Sequence, residues 1–233
     1  MNAKVNRHEF ADRLTLGDTL AKDIAGKLDA AVKARGKASL AVSGGGTPKL
    51  MFAVLAEQEI DWSKVSITLV DERWVRESSD RSNARLVREY LLQGPAAAAR
   101  FVPLHNDAPT PEAGMSPLDE ALEALYWPLA CAVLGMGDDG HTASFFPGGD
   151  KLEEALDPKG GLALLPMRAP NAGEPRITLT LPVLLAADAL ALHIEGEAKR
   201  PVLDKALSDG PESEMPVRAV LRAPRPPDIF WCP

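Results

Sequence analysis

Short apolar runs alternate with amphipathic stretches along this chain, and that alternation constrains the fold more than any other feature of the sequence. Residues 39–42, 66–70 and 129–134 are largely apolar runs of strand length. The first amphipathic stretch instead repeats an apolar residue every four positions, at Leu20, Ile24, Leu28 and Val32. That spacing gives a helix one apolar face. Strands that alternate with helices predict a layered α/β fold, with helices on both faces of a mostly parallel sheet.

Further elements follow the same pattern to the end of the chain. The sequence predicts a helix directly after residues 43–48, helices over about 83–92 and 118–127, and another from Gly196 to about Leu207. Additional strands are expected at 101–104, 162–165, 176–180 and 189–194, with a last edge strand at 229–231. The segment 103–117 contains four prolines and is expected to be a loop. Because no stretch has the composition of a linker, residues 1–233 are predicted to form a single domain.

The composition excludes several classes of function. The formal net charge is −7 and no long basic run occurs, which argues against a general affinity for nucleic acid. The two cysteines, Cys131 and Cys232, are too few for a disulfide framework or a zinc site. Neither residues 1–12 nor any later segment has the apolar length of a signal peptide or a membrane span. The expected location is therefore the cytoplasm, without a membrane partner.

Polar motifs follow three of the predicted strands. Ser43-Gly44-Gly45-Gly46-Thr47-Pro48 follows the first, Asp71-Glu72-Arg73 is expected to form the polar end of the second, and residues 135–141 follow the strand at 129–134. Ligands bind beyond the carboxyl ends of parallel strands. These three motifs are therefore expected to converge on one site.

The glycine-rich segment 43–48 predicts a binding site for an anion. Thr47 is suited to cap the helix that follows, and Pro48 to occupy its first position. Backbone N–H groups at the start of a helix bind anions, and glycines let a ligand approach them closely. The segment lacks the Gly-Lys-Ser/Thr ending of a nucleotide-binding loop, and it does not match the dinucleotide-binding spacing. A small sugar phosphate is therefore the expected ligand.

The segment 135–141, Gly-Met-Gly-Asp-Asp-Gly-His, has three glycines in six positions and presents one histidine, His141. A histidine in such a polar, glycine-rich context is not suited to the core. An unperturbed imidazole has a pKa near ~6.5, so the neutral ring can accept a proton from water. His141 is therefore the candidate catalytic residue, with Phe145 and Phe146 expected to close the core beneath it. The other histidines lack this context and are expected to be structural: His8, His105 and His193.

Four motifs, in order along the chain, resemble those of the 6-phosphogluconolactonase family. They are residues 43–48, Asp71-Glu72-Arg73 followed by Ser82-Asn83, residues 135–144, and Arg176-Ile177-Thr178-Leu179-Thr180. The resemblance covers nearly the whole chain. It implies a modified Rossmann-like three-layer sandwich, shared with glucosamine-6-phosphate deaminase and ribose-5-phosphate isomerase. It also implies a monomer that hydrolyses 6-phosphogluconolactone to 6-phosphogluconate, the second step of the oxidative pentose phosphate pathway.

The resemblance also implies roles for individual residues. His141 and Asp139 are the expected catalytic residues, with Asp139 holding the histidine loop. The lactone is a reactive ester, so the ~10²–10⁴-fold rate increase that acid–base catalysis contributes would suffice without a metal, another cofactor or a covalent intermediate. Arg73 and Arg176 or Lys199 are expected to bind the phosphate, and Asp71 and Asn83 are expected to bind sugar hydroxyls or to order the pocket. The full set of expected substrate-binding residues is Ser43, Gly44, Gly45, Thr47, Asp71, Arg73, Asn83, Arg176 and Lys199.

Three alternative functions have different sequence requirements. A glucosamine-6-phosphate deaminase would need a glutamate about where Phe146 stands. A serine hydrolase could use Ser43, Asp71 and His141, which follow the chain order of an α/β-hydrolase triad. A sensor would bind a sugar phosphate without turnover, although no DNA-binding segment is visible.

Overall fold

The computed structural model describes residues 5–233. Its strands, in chain order, are β1 (Arg7–Glu9), β2 (Ala38–Val42), β3 (Val65–Leu69), β4 (Asp71–Arg73), β5 (Arg100–Val102), β6 (Cys131–Leu134), β7 (Leu164–Met167), β8 (Arg176–Leu179), β9 (Leu190–Glu195) and β10 (Asp228–Cys232). Its α-helices are α1 (Arg13–Arg35), α2 (Lys49–Ala56), α3 (Asn83–Tyr90), α4 (Pro111–Leu122), α5 (Leu152–Leu156), α6 (Leu181–Leu185), α7 (Lys199–Leu207) and α8 (Val217–Leu221). Short 3-10 helices lie at Trp62–Lys64 and Gly94–Ala98.

A central sheet of seven parallel strands has the order β1-β10-β9-β6-β2-β3-β5. The chain builds outward from β2 to β3 and β5, and then returns to the other side of β2 for β6, β9 and β10. The strand order therefore reverses between β2 and β6. Such a reversal leaves a crevice at the carboxyl ends of the two strands. The predicted α/β class with a mostly parallel sheet is confirmed.

A second sheet contains the three antiparallel strands β4, β8 and β7. Val70 joins it to the central sheet, because its N–H donates to Val42 O at 2.9 Å while its carbonyl accepts from Leu179 N–H at 2.9 Å. The interpretation of Asp71-Glu72-Arg73 as the polar end of the preceding strand is thereby corrected. β3 ends at Leu69, and the three polar residues form a strand of their own because the chain changes its pairing partner at Val70.

α1 is the longest helix, and it forms as the four-residue spacing predicts. It begins after Asp12, whose side chain accepts a hydrogen bond from Thr15 N–H at 2.8 Å, and it ends at Gly36, which adopts φ +79°. Its buried face packs against α2 and the central sheet, and each large apolar side chain buried there contributes ~1.5–3 kcal/mol. Within residues 5–233, no helix is both long enough and apolar enough to cross a membrane.

Three local predictions were wrong. β10 is not an edge strand, because β1 pairs with it on its outer side. α4 begins at Pro111, inside the expected loop, because Thr110 caps it and proline is compatible with the first turn of a helix. α2 has no side-chain cap from Thr47. Pro48 instead takes helical angles, and its carbonyl accepts the first helical hydrogen bond, from Phe52 N–H at 2.8 Å.

Candidate active site

One pocket opens at the crevice between β2 and β6, and its wall contains every predicted site residue except Asp139. The predicted residues on the wall are Ser43, Gly44, Gly45, Thr47, Asp71, Arg73, Asn83, His141, Arg176 and Lys199. The other wall residues are Pro48, Gly135, Met136, Gly137, Ala143, His193, Ile194 and Glu195. Asp139 contacts the ring of His141. The folded chain therefore brings together all the segments that the sequence singled out.

His141 and Asp139 form a hydrogen-bonded pair. His141 Nδ1 lies 2.6 Å from Asp139 Oδ1, and the same oxygen accepts the His141 backbone N–H at 3.1 Å. Burial raises the pKa of Asp139, but the hydrogen bond and charge of His141 outweigh this effect and hold that pKa below its usual value. Because an ionised carboxylate can only accept, Nδ1 carries the proton, and Nε2 of the neutral ring keeps its lone pair. Nε2 is therefore the atom that can accept a proton from water.

Glycines let the loop fold tightly around this pair. The Gly137 N–H donates to His141 O at 2.9 Å, and Gly140, at φ +79°, closes the turn. A Cβ on Gly137 would lie 2.1 Å from His141 Nδ1 and 2.8 Å from Asp139 Oδ1. Real Cβ atoms do not approach other atoms so closely, so only glycine leaves room for the pair.

A segment near the end of the chain holds the other side of the histidine loop. The Val217 N–H donates to Gly140 O at 2.9 Å, and a Cβ added to Gly140 would lie 2.8 Å from Met215 Cε. The buried guanidinium of Arg218 fixes this segment by donating to the carbonyls of Lys205, Ala206, Asp209 and Pro211. Tertiary contacts, and not the loop alone, therefore set the position of His141.

Gly44 leaves room for Asn83 in the same way. A Cβ on Gly44 would lie 1.8 Å from Asn83 Oδ1. Asn83 is buried, and its Nδ2 donates to the Asp71 carbonyl at 2.9 Å. The glycine-rich segment after β2 thereby packs against the start of α3, which Asn83 links to β4, and this gives the segment a defined position on the pocket wall.

Glu72 is a buried anchor that the sequence interpretation did not single out. Its carboxylate accepts the backbone N–H groups of Arg73, Asn83 and Ala84 at 2.7, 2.8 and 2.7 Å. Burial raises the pKa of Glu72, and these hydrogen bonds oppose the rise. A carboxylate at the start of α3 also interacts favourably with the helix dipole. Glu72 therefore links β4 to α3 and fixes two wall residues, Arg73 and Asn83.

Asp71 connects two other site segments. Its Oδ2 accepts from Ser144 Oγ at 2.6 Å and lies 3.6 Å from Arg176 Nη1. The carboxylate of Asp71 therefore contacts Ser144 and Arg176, whereas the ring of His141 contacts the carboxylate of Asp139. A serine-hydrolase triad needs the acid to hold the histidine. Ser43, Asp71 and His141 therefore do not form such a triad.

Arg73 and Arg176 lie opposite each other where β4 and β8 pair. Like charges in such a pair repel each other. The Nε atom of each arginine is buried and has no hydrogen-bond partner among the residues that the structure describes. Burial lowers the pKa of Arg176, and Asp71 opposes this effect. The pair concentrates positive charge on the pocket wall, and an anionic ligand would relieve the repulsion.

Lys199 is a further cation on the wall, at the first residue of α7. Its Nζ donates to Met136 O at 2.9 Å and lies 2.5 Å from Asp138 Oδ1. The Asp138 side chain is 86% exposed, and ion pairs with such exposed groups are weak. Lys199 therefore has a partner that an incoming anion could replace.

The chain matches a family model described as Glucosamine-6-phosphate isomerases/6-phosphogluconolactonase over residues 11–231. The chain belongs to this family. A member from Rhizobium meliloti (strain 1021), named 6-phosphogluconolactonase, is 53% identical over 229 residues, which cover 98% of this chain and 99% of the relative. A member of the same name from Mesorhizobium japonicum is 53% identical over 232 residues, which cover 99% of this chain and 97% of the relative.

The three-dimensional fold is also that of the family. The crystal structure of a 6-phosphogluconolactonase from Shewanella baltica OS155 matches this chain with a TM-score of 0.96 and 43% sequence identity, and the match covers 100% of both chains. The modified Rossmann-like sandwich that the sequence motifs implied is therefore confirmed.

His193 and Glu195 lie on the wall although the sequence interpretation did not include them in the site. His193 is buried with its Nε2 3.0 Å from Glu195 Oε1, and the other Glu195 oxygen lies 3.2 Å from Arg13 Nε. A structural role for His193 stays a prediction. The sequence did contain a signal that could have placed these two residues near the site. The segment 189–194 was predicted as a strand, and the carboxyl ends of parallel strands meet at one edge of a sheet.

Proposed function

We propose that this chain hydrolyses 6-phospho-D-glucono-1,5-lactone to 6-phospho-D-gluconate in the oxidative pentose phosphate pathway. The main support is the His141–Asp139 pair beside a pocket whose wall has three cationic side chains, Arg73, Arg176 and Lys199. Relatives named 6-phosphogluconolactonase, 53% identical over nearly the whole chain, support the same reaction. The site offers a base for the ester end of this substrate and cations for its phosphate end.

In the proposed mechanism, His141 Nε2 takes a proton from a water molecule while the water oxygen attacks C1 of the lactone. The carbonyl electrons move to the oxygen and return when the bond between C1 and the ring oxygen breaks. His141 then gives its proton to the departing ring oxygen, which becomes a hydroxyl. Asp139 keeps the proton on Nδ1 and stabilises the imidazolium between these steps. The new carboxylic acid loses one proton to solvent.

The phosphate is proposed to bind Arg73, Arg176 or Lys199. Charge-assisted hydrogen bonds from such groups to phosphate are stronger than neutral ones. Asp71 and Asn83 are proposed to bind sugar hydroxyls. The segment after β2 is proposed to contact the substrate through Ser43, Gly44, Gly45 and Thr47.

Deamination of an amino-sugar phosphate is a less favoured alternative. The family description also names glucosamine-6-phosphate isomerases, and for a deaminase the sequence motifs implied a glutamate where this chain has Phe146. Phe146 is buried, and its ring contacts the ring of His141. An apolar ring cannot transfer protons. Lactone hydrolysis is therefore the better supported reaction.

A direct lactone assay, corrected for spontaneous opening, tests this proposal. His141→Ala is expected to lower the turnover rate ~10²- to 10⁴-fold, while circular dichroism shows an intact fold. His105→Ala is the matched control, because His105 does not line the pocket. Near-normal turnover in His141→Ala would exclude the mechanism.

Two further outcomes distinguish the alternatives. Binding of 6-phosphogluconate by a wild-type protein that shows no turnover would identify a sensor. Release of ammonia from glucosamine 6-phosphate would favour a deaminase.

We also propose that residues 1–233 form a single domain that acts as a monomer in the cytoplasm, without a cofactor. The net charge of −7 supports the absence of a nucleic-acid partner. Light scattering during size-exclusion chromatography tests the monomer, and a mass of two chains or more would contradict it.

A further inference from the structure

We propose that Phe146 is a positioning residue that holds both the base, His141, and Arg176, one of the three cations proposed to bind the phosphate. The ring centroids of Phe146 and His141 are 4.4 Å apart, with 36° between their planes. Arg176 Cζ lies 5.2 Å from the centroid of the same Phe146 ring. One rigid apolar side chain thus contacts two groups that act on different ends of the substrate. This inference rests on the proposed function, which makes His141 the base and Arg176 one of three candidate partners of the phosphate.

The turn after His141 puts Phe146 in this position. Ala143 adopts φ +49°, which residues with a Cβ seldom do, and Thr142 forms a bridge with Phe145 across the turn. Ser144 is held by the hydrogen bond from its hydroxyl to Asp71. The chain therefore doubles back, and the side chain five residues after His141 lies against the His141 ring. Unusual backbone angles of this kind persist only where the surrounding structure enforces them.

His141 has three restraints, and Phe146 provides one that the others do not replace. The backbone of Gly137 packs so closely that a Cβ there would lie 2.1 Å from Nδ1. Asp139 binds Nδ1 at 2.6 Å and so sets the direction of that ring edge. Phe146, which is only 3% exposed and therefore well fixed, limits the tilt of the imidazole plane. Without the Phe146 ring, Nε2 would move over a wider range.

Phe146 restrains Arg176 through the face of its ring. Arg176 Nη2 donates to Ala172 O at 2.7 Å, and Nη1 lies 3.6 Å from Asp71 Oδ2. The attraction between a cation and an aromatic ring strengthens when the cation is buried, as Arg176 is. Loss of the Phe146 ring would leave Arg176 with its two contacts at the Nη atoms, to Ala172 and Asp71. Anion binding is therefore expected to weaken and not to disappear.

Phe145 provides a matched control for Phe146. It is adjacent, has the same side chain and is also buried in the core. The contacts with His141 and Arg176 are made by Phe146. Phe145→Leu and Phe146→Leu each remove one aromatic ring from the core, so both are expected to lower the melting temperature. Only Phe146→Leu is expected to change the site.

The experiment measures three quantities in the wild type and both variants. They are kcat with 6-phosphogluconolactone, the dissociation constant of 6-phosphogluconate by calorimetry, and the NMR resonances of the His141 ring. Phe146→Leu is expected to lower kcat about tenfold, because Nε2 is less well positioned, and to raise the dissociation constant about fivefold. Its His141 resonances are expected to shift when the neighbouring ring current is lost. Phe145→Leu is expected to change none of the three.

Two results would overturn the inference. In one, Phe146→Leu keeps the wild-type kcat, dissociation constant and His141 resonances. In the other, Phe145→Leu shows the same losses, so that a loosened core is responsible and not contact with the two site residues. The NMR readout separates this inference from the proposed function. If the wild type does not hydrolyse the lactone, the proposed function fails, but the resonances still show whether the Phe146 ring lies against the imidazole, and the dissociation constant still shows whether it supports anion binding.

Discussion

Replacement of Gly137 by alanine tests the geometry of the His141–Asp139 pair most directly. The new Cβ would lie 2.1 Å from His141 Nδ1, 2.2 Å from Cε1 and 2.8 Å from Asp139 Oδ1. Ordinary van der Waals contact begins at 3.4 Å, so the imidazole must move by about 1 Å. Gly137 does not have a positive φ, so alanine is excluded by this contact and not by the backbone.

The displacement sets the expected size of the effect. A reacting group that is misplaced by ~1 Å can lower a rate ~10²-fold, which corresponds to about 3 kcal/mol of activation free energy. We therefore expect Gly137→Ala to lower kcat about 100-fold. KM is expected to change less, because Arg73 and Arg176 belong to the second sheet.

Gly135→Ala is the matched control in the same segment. A Cβ at Gly135 would lie 3.7 Å from Ser43 Oγ, which is an ordinary contact, and Gly135 also has no positive φ. Lactone assays corrected for spontaneous opening and thermal unfolding compare the two variants. A folded Gly137→Ala variant with a kcat close to the wild-type value would refute the reasoning. Equal losses in both variants would show that the contact with His141 is not the cause.

Three further substitutions have expected outcomes. Asp139→Asn is expected to lower kcat about 10²-fold, because the carboxylate that accepts from Nδ1 and stabilises the imidazolium is lost. The pKa of Asp139 lies below its usual value, so this carboxylate stays ionised throughout the neutral range; a kcat close to the wild-type value in the lactone assay would contradict the pairing. Asp138→Asn removes the carboxylate that competes with the phosphate for Lys199, and it is expected to tighten 6-phosphogluconate binding ~2- to 5-fold in calorimetry. Asp119→Asn makes an equal charge change on α4 and is expected to leave this binding unchanged. Weaker binding would mean that Asp138 holds Lys199 in place. Glu72→Gln deprives buried N–H groups of an acceptor and is expected to lower the free energy of unfolding by ~1–3 kcal/mol in chemical denaturation; unchanged stability would refute the anchor role.

Local patterns in the sequence were enough to predict the class of fold and the region of the site. Parallel strands such as β2, β3 and β6 are buried on both faces, so they must be apolar and are visible as short runs. Their carboxyl ends share one edge of the sheet, and glycine-rich or charged segments follow each of them. Ten predicted residues accordingly line one pocket. The resemblance of the four motifs to a known family added the reaction.

Contacts between distant segments decided the rest. β4 is separate from β3 only because Val70 pairs with Leu179, and β10 is internal only because β1 covers it. Phe146 is marked in the sequence as an apolar residue, but its contacts with His141 and Arg176 depend on the turn at Ala143 and on the second sheet. Periodicity along a chain records which residues are buried. It does not record which buried residues meet, because that depends on how the elements pack.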